Sequence, residues 1–544
     1  MTRNVARILI FLRKLRRRFQ RFDVLRVWLF AVIIGVAAAY GIIAFRALID
    51  VISVVAFGET EAGVVSGASS LSFMRAWAAP VVGGLAVSAI LFVADQLKWL
   101  EGGRGQGISD VIEARAVGHG RLSLRAGLAA ATVSAVSLGS GASAGREGPA
   151  VHLGATIASI LDRHMGFTAQ QRRALLGCGA AAAVSASFNA PIAGVLFALE
   201  VILGNYALSV FGPIAAASVA SAIVTRIHLG NFPAFAPPDY GAVATIDVPL
   251  AAALGVICGL ISAGFLFSTS QFTTGVREFA QRRGISYLFL PPIGGAIIGL
   301  IGAFYPEVFG VGYEAVTNAL AGKYTILLLI VLVFVKCAAT VITLSCRFGG
   351  GVFSPGLVIG AFAGAAFGAM LGQFFPDATA SPVYYAMIGM GAVAGAILGA
   401  PISTTLVIFE MTGEYTITIS LMVAVAIATL ITQWLCGRSF FQWQLSRRGY
   451  DLSEGPQGVI LKTIRVRDVM EKMPPGAPLS KEADRLVSSQ SLGEALASLN
   501  EAEEHGLPVV NDAQGEEVVG YLSRVKALAA YNKALIDDNI EHHT

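Results

Sequence analysis

Gly139-Ser-Gly-Ala-Ser-Ala-Gly-Arg-Glu-Gly-Pro-Ala-Val-His-Leu-Gly154 is the stretch on which the reading of this chain turns. It lies between two long apolar runs, at membrane depth, and yet carries Arg146 beside Glu147. Ionisable side chains are expensive there and mark functional sites. The glycines and Pro149 end one helix and begin another. A helix N-terminus offers unpaired N–H groups and the positive end of the helix dipole, the two ingredients of an anion site. A carboxylate at such a place reads as a built-in competitor for an anion.

The rest of the chain makes membrane depth the right setting. Of 544 residues 55% are hydrophobic and only 14% charged, well below the roughly 25% charged residues of soluble domains. Apolar runs recur from Val27 to about Cys436, and many are broken by Gly, Pro or a single polar residue. Broken helices at this depth persist only inside a bundle or along a polar cavity, as in transporters. The expected fold is therefore an all-α polytopic membrane protein with a small α/β domain at its C-terminal end.

Charge orients the chain. Nine basic residues from Arg3 to Arg26 face a single acid, Asp23, so the N-terminus is expected on the cytoplasmic side. Residues 1–26 suit a basic helix on the membrane surface. A nucleic-acid arm is disfavoured, because a hydrophobic span follows directly. No cleavable signal peptide is evident: the first 20 residues are too charged and lack a compact apolar core. The five cysteines stand singly in apolar segments without metal-ligand spacing and read as small hydrophobes.

The membrane part, 27–450, reads as two halves, about 27–228 and 248–445, around the Pro-containing loop 229–248. Gly177-Cys-Gly-Ala-Ala-Ala leads to Asn189-Ala-Pro and on to Glu200; Gly389-Met-Gly-Ala-Val-Ala leads to Gly399-Ala-Pro and on to Glu410. Pro191 precedes Glu200 by nine residues, as Pro401 precedes Glu410. Pro149 precedes Gly154 by five, as Pro355 precedes Gly360. Matched broken helices point to a midplane site between the halves.

Three glycine-rich breaks stand together: Gly105-Gln-Gly-Ile-Ser109, Gly145-Arg-Glu-Gly-Pro149 and Gly350-Gly-Val-Phe-Ser-Pro355. With the Asn189-Ala-Pro-Ile-Ala-Gly-Val-Leu-Phe-Ala-Leu-Glu200 run, they make the chain resemble the CLC family of chloride channels and proton/chloride antiporters over about residues 30–450. The resemblance implies a multi-pass homodimer in a bacterial inner membrane. Each subunit would have two inverted-repeat halves of tilted, broken helices and its own anion pathway. Both termini would be cytoplasmic and no cofactor is implied. Its partners would be chloride or other monovalent anions, protons in coupled members, and lipid. By the same resemblance Glu147 is the gating glutamate. Gln106, Gly107, Ile108, Arg146, Gly148, Val352, Phe353 and Phe441 take the anion-binding positions, most of them through backbone amides.

Three departures from the family pattern bear on mechanism. The serine that donates to the central anion is Gln106 here, longer and also an acceptor. The second glutamate of many coupled members, an inner proton relay, is Val201, which takes no proton. The tyrosine that helps hold the anion aligns with Phe441 and loses its hydroxyl. Together they favour passive, channel-like conduction, with proton-coupled antiport as the alternative.

Other residues read as architecture. Glu200 and Glu410 recur in both halves and suit a shared structural or vestibule role. Lys336 suits pairing inside the bundle; Arg347 suits a structural role, with a role at the pore mouth as the alternative. Gly141-Ala-Ser143-Ala-Gly145 fits the nucleophile-elbow pattern, but it lacks the preceding strand and an evident triad. An intramembrane hydrolase is the remote alternative, and no enzyme is expected.

Residues 460–544 alternate helix and strand signals. Ser491 to Glu494 spells a capping box before a helix. His505–Val510 and Glu517–Leu522 read as strands around a turn at Asn511 to Gly515. This resembles one copy of a CBS motif, common at the cytoplasmic end of that family. Ser523-Arg-Val-Lys526 lacks the acid that often meets ribose or phosphate, so a structural or regulatory contact is expected in place of a nucleotide.

Overall fold

The computed structural model describes residues 3–100, 107–116, 120–162, 165–231, 235, 243–375, 380–413, 415–450, 461, 464–472, 485–502, 505–511 and 518–543, with side chains from Val24 to Lys533. The chain divides into two compact units, residues 1–206 with 210–441, and 442–544 with 207–209.

The first unit is helical. Its first half holds α1 (Arg3–Phe57), α2 (Val64–Ser70), α3 (Phe73–Gln96), α4 (Ile108–Ala116), α5 (Leu124–Gly139), α6 (Glu147–Asp162), α7 (Ala169–Phe188), α8 (Pro191–Phe197) and α9 (Leu208–Leu229). Its second half holds α10 (Asp247–Arg282), α11 (Leu290–Phe304), α12 (Tyr313–Leu320), α13 (Ile326–Ser345), α14 (Phe353–Phe374), α15 (Pro382–Leu398), α16 (Pro401–Thr412) and α17 (Thr418–Cys436), and α18 (Phe440–Ser446) follows. Among the described residues eight helices are long and apolar enough to cross a membrane. The basic segment expected to be separate up to residue 26 runs into the first span without a break, as one helix of 55 residues. At 36 residues α10 is about 54 Å long, which at a rise of 1.5 Å per residue exceeds the roughly 30 Å hydrocarbon core, so it tilts or protrudes.

Local chemistry sets the breaks. Thr168 starts α7 with a capping box to Gln171, and Asn189 ends it in the left-handed conformation at φ 56°. Gly399 ends α15 in the same way at φ 69°. Ala190 and Ala400 then share a non-helical geometry, φ −123° with ψ 79° and φ −131° with ψ 68°, and each leads to a proline that opens the next helix. Asn189 and Gly399, Pro191 and Pro401, and Glu200 and Glu410 all lie 210 positions apart. The fold is thus two inverted-repeat halves of tilted and broken helices.

Packing corrects the repeat register inferred from sequence. A Cβ built on Gly154 would lie 2.4 Å from the Gly179 carbonyl, and one on Gly360 2.1 Å from the Gly389 carbonyl. The counterpart of Gly389 in the first half is therefore Gly179, also 210 positions away, and not Gly177. Along α14, Gly360, Gly364 and Gly368 repeat every fourth residue and let the backbones of α14 and α15 touch.

The second unit has a three-stranded sheet in the order β1 (Leu486–Val487), β2 (Gly506–Val510), β3 (Val518–Ser523). β2 and β3 are antiparallel with Gly506 opposite Ser523, and β1 joins β2 in parallel. Ser491 and Glu494 form the expected capping box. Leu492, Leu499, Leu507, Val509 and Leu522 fill the core. β1 and the closing helix Arg524–His543 were not anticipated, and most of the expected turn, 512–515, lies outside the described residues.

Candidate anion site where the two halves meet

The second and third of the three glycine-rich breaks are joined by backbone. Gly145 and Gly351 form an isolated antiparallel bridge and exchange two N–H···O hydrogen bonds of 2.7 Å each. Gly350 has φ +148°, and a Cβ there would lie 2.4 Å from that of Ala144, so the approach requires glycine. Two residues beyond each bridging glycine a helix begins, α6 at Glu147 and α14 at Phe353. The first-turn N–H groups of two helices, which have no intrahelical acceptor, thus converge from opposite halves. Their dipoles add positive potential in a buried, low-dielectric place.

Glu147 occupies this place. Its residue is 3% exposed. One carboxylate oxygen accepts the Ser354 hydroxyl at 2.5 Å, and the other has no hydrogen-bond partner among the described residues. A Cβ built on Gly145 would lie 2.5 Å from that second oxygen and 3.1 Å from the Ser354 nitrogen. The side chain from the first residue of α6 therefore sits against the first turn of α14. A carboxylate held by one hydroxyl, beside the amides of a helix terminus, can exchange places with a small anion.

Val352 and Phe353 are buried at the start of α14, and the Phe353 ring packs on Phe188 at 5.0 Å. Gly148 follows Glu147 and touches Gly351, whose built Cβ would lie 3.1 Å from the Gly148 nitrogen. The structure thus brings Arg146, Glu147, Gly148, Val352 and Phe353 together. It places Phe441 in α18, buried and packed on Phe440 at 5.8 Å. Val201 lies in the turn Ala198–Leu203, which continues α8 with i→i+5 bonding and packs against α4. Widened turns of this kind concentrate at functional sites. Gln106 lies outside the described residues.

One of the expected backbone donors, the Gly107 N–H, is otherwise engaged, and the Arg146 side chain points elsewhere while its backbone stays at the start of α6. Gly107 gives its N–H to the Asp110 carboxylate at 2.7 Å, so a carboxylate three residues on takes a donor that was expected to face an anion. Ile108 is buried as the first residue of α4. The Arg146 side chain turns to Glu61 at 2.5 Å, reaches the Ser187 carbonyl at 3.4 Å, and lies 4.7 Å over the Tyr313 ring. Only the backbone of Arg146 remains beside the site.

Glu61 and Ser354 were not singled out from the sequence. Glu61 stands in the short turn after α1, 8% exposed, and its N–H reaches Asp50 at 3.0 Å. Glu314 on α12 accepts the N–H groups of Val65 at 2.7 Å and Ser66 at 3.1 Å, holding the same segment. Lys336 is fully buried and donates to the carbonyls of Val308 and Gly310 at 2.9 and 3.2 Å. Ser143 of the Gly-x-Ser-x-Gly pattern has its hydroxyl 3.2 Å from that of Thr340 on α13, with no strand before it.

Comparison with known proteins identifies the family. The family model described as voltage gated chloride channel matches residues 89–433. A ClcB-like protein of Ralstonia nicotianae is 34% identical over 396 residues, covering 72% of this chain and 90% of its own. The voltage-gated ClC-type chloride channel ClcB of Escherichia coli O157:H7 is 30% identical over 420 residues, 76% of this chain and 97% of its own. Among solved structures, a slow cyanobacterial Cl⁻/H⁺ antiporter superposes with a TM-score of 0.68 at 23% identity, over 78% of this chain and 98% of that one. A CLC-type fluoride/proton antiporter gives 0.63 at 22% identity, with the same coverage. The bridged glycines, the buried carboxylate between two helix termini, and these matches lead to one conclusion: the chain is an integral, multi-pass membrane protein of the CLC family of chloride channels and transporters.

Proposed function

We propose that this protein passes chloride and related monovalent anions across its membrane along a pathway in each subunit, gated by Glu147. The observation that carries the reading is the Glu147 carboxylate lodged against the first turn of α14 and bonded to Ser354. An ionised carboxylate there holds the place of a permeant anion; a protonated or displaced one yields it. Val352, Phe353 and Gly148 supply backbone donors to the anion. We assign the protein a homodimeric state in a bacterial inner membrane, both termini cytoplasmic, with the C-terminal unit as a CBS-like structural or regulatory contact.

Within that reading we favour passive conduction. Val201 cannot relay a proton, and Phe441 offers no hydroxyl to hold an anion between coupled steps. The second reading, proton-coupled antiport, draws on the similar solved structures, two of which are described as anion/proton antiporters. Purified protein in liposomes under a chloride gradient, with external pH recorded, separates the two. Channel-like conduction gives chloride efflux without proton uptake. Proton uptake driven by chloride efflux, and lost in Glu147→Ala, establishes antiport instead.

A further inference from the structure

The bundle leaves a cavity of about 520 Å³ between α10 and α13, away from the Glu147 site. Gly264, Phe265 and Phe272 of α10 face Val333, Cys337 and Val341 of α13 across it. Ser268 and the Cys337 thiol are the polar side chains on its wall. The rim residues Leu260, Phe272 and Phe334 are 54%, 57% and 69% exposed, so the cavity opens outward from the bundle. Both helices are long and apolar enough to cross the membrane, so what lies outside that rim is hydrocarbon and not water. The volume falls in the roughly 300–1,000 Å³ range of small-ligand sites.

One end of this cavity is polar and basic. Just past Phe272 and Ile342 the hydroxyls of Thr273 and Ser345 meet at 3.2 Å and tie the two helices. A further turn along, Arg277 on α10 and Arg347 after α13 lie within electrostatic reach of one another. Arg347 is propped 4.7 Å over the Tyr287 ring, and the Tyr287 hydroxyl bonds Asp95 at 3.0 Å. The last turns of α10 and the residue that caps it carry Arg277, Arg282 and Arg283 against one acid, Glu278. That excess assigns this end of α10 to the cytoplasmic leaflet, where anionic lipids concentrate. An apolar slot open to the bilayer, capped by paired hydroxyls and two arginines, has the shape and charge order of a phospholipid.

We propose that one anionic phospholipid binds here, with an acyl chain in the α10–α13 cavity and its phosphate at Arg277 and Arg347. Basic pockets between membrane helices are suited to anionic head groups, and the cavity adds the apolar half of the recognition. A neutral zwitterionic lipid fills the slot but gains less from the arginines.

The test uses full-length protein in vesicles of equal parts phosphatidylcholine and phosphatidylglycerol, extracted in mild detergent, with retained lipid counted by mass spectrometry of the intact protein. Wild type retains phosphatidylglycerol several-fold over phosphatidylcholine. Arg277→Ala removes that preference. Gly264→Phe fills the slot, since a Cβ at Gly264 meets nothing within 4 Å, and lowers retention of both lipids several-fold. Anion flux in liposomes verifies that each variant is folded. Equal retention of the two lipids by wild type, or an unchanged preference in Arg277→Ala, overturns the phosphate assignment. Unchanged retention in a folded Gly264→Phe overturns the acyl site.

Discussion

Glu200 and Glu410 cap each other's neighbouring helices. Glu200 accepts the N–H groups of Ile402 and Ser403 at 3.1 and 2.7 Å, and Glu410 accepts those of Ile192 and Ala193 at the same two distances. Each carboxylate ends one half's broken helix and satisfies the first turn of its counterpart, an isologous contact of the kind a two-fold axis generates. It places two charges on two positive helix ends, where hydrogen bonds to a charged group contribute about 1.5–3 kcal/mol each. Glu200→Ala and Glu410→Ala should therefore each lower thermal stability in detergent by a similar amount, a few kcal/mol. Glutamine, which keeps one acceptor, should restore part of the loss. A large effect for one glutamate and none for the other would refute the symmetric role.

The glycine pairs make a second, sharper contrast. A methyl group on Gly360 would lie 2.1 Å from the Gly389 carbonyl, with no flexible side chain to move aside. In the same helix, Gly372 has open space around a built Cβ. Gly360→Ala should separate α14 from α15 and destabilise by more than about 2 kcal/mol, as overpacked sites do. Gly372→Ala should be neutral or stabilise by up to about 1 kcal/mol, from helix propensity alone. Thermal unfolding of the two variants side by side checks the pair, and equal effects would contradict the packing described.

Much of this was legible in the residues, and what was not has physical causes. Gly145, Arg146, Glu147 and Pro149 announce a charged helix start, because nothing else accounts for those types in an apolar run. The nine-residue spacing to Glu200 and Glu410 exposes the repeat. Equivalence is not contact, however, and that each caps the other's helix needed the fold. The register slipped by two residues at Gly177 because alanine-rich helices carry little to align on. Glu61 sits near Glu59 in a polar turn, where a solvated acid and a buried ion-pair partner look alike. Ser354 was hidden in a motif read for its glycines and proline. β1, two residues long, is held by pairing with β2 and has no periodicity of its own.

The Arg146–Glu61 pair yields a third prediction. Both side chains are nearly inaccessible, 5% and 8% exposed, so the pair's desolvation is offset only while both partners remain. Glu61→Ala leaves a buried guanidinium with the Ser187 carbonyl and the Tyr313 ring as company, and should destabilise by about 3–5 kcal/mol. Arg146→Ala should do the same through the stranded carboxylate. The double variant should recover part of the sum, because neither member of the pair is left stranded by loss of the other. Strict additivity in a double-mutant cycle by thermal unfolding would show that the two residues do not act as a pair.

The last prediction concerns the gate and its single hydroxyl. If the Glu147 carboxylate is a tethered anion, its hold on the site weakens when it takes up a proton, so flux rises as pH falls through its titration. Glu147→Gln never ionises and Glu147→Ala has no side chain to return, so both should conduct with a flat pH profile. Ser354→Ala removes the 2.5 Å hydrogen bond but leaves the carboxylate in place. A hydrogen bond to a charged group contributes about 1.5–3 kcal/mol, so its loss should favour the displaced carboxylate by roughly tenfold or more. Flux at neutral pH should increase while its pH dependence persists. Chloride efflux from liposomes across a pH series distinguishes the variants: a pH profile retained in Glu147→Gln would remove Glu147 from the gate, and unchanged neutral-pH flux in Ser354→Ala would mean that this hydroxyl does not restrain it.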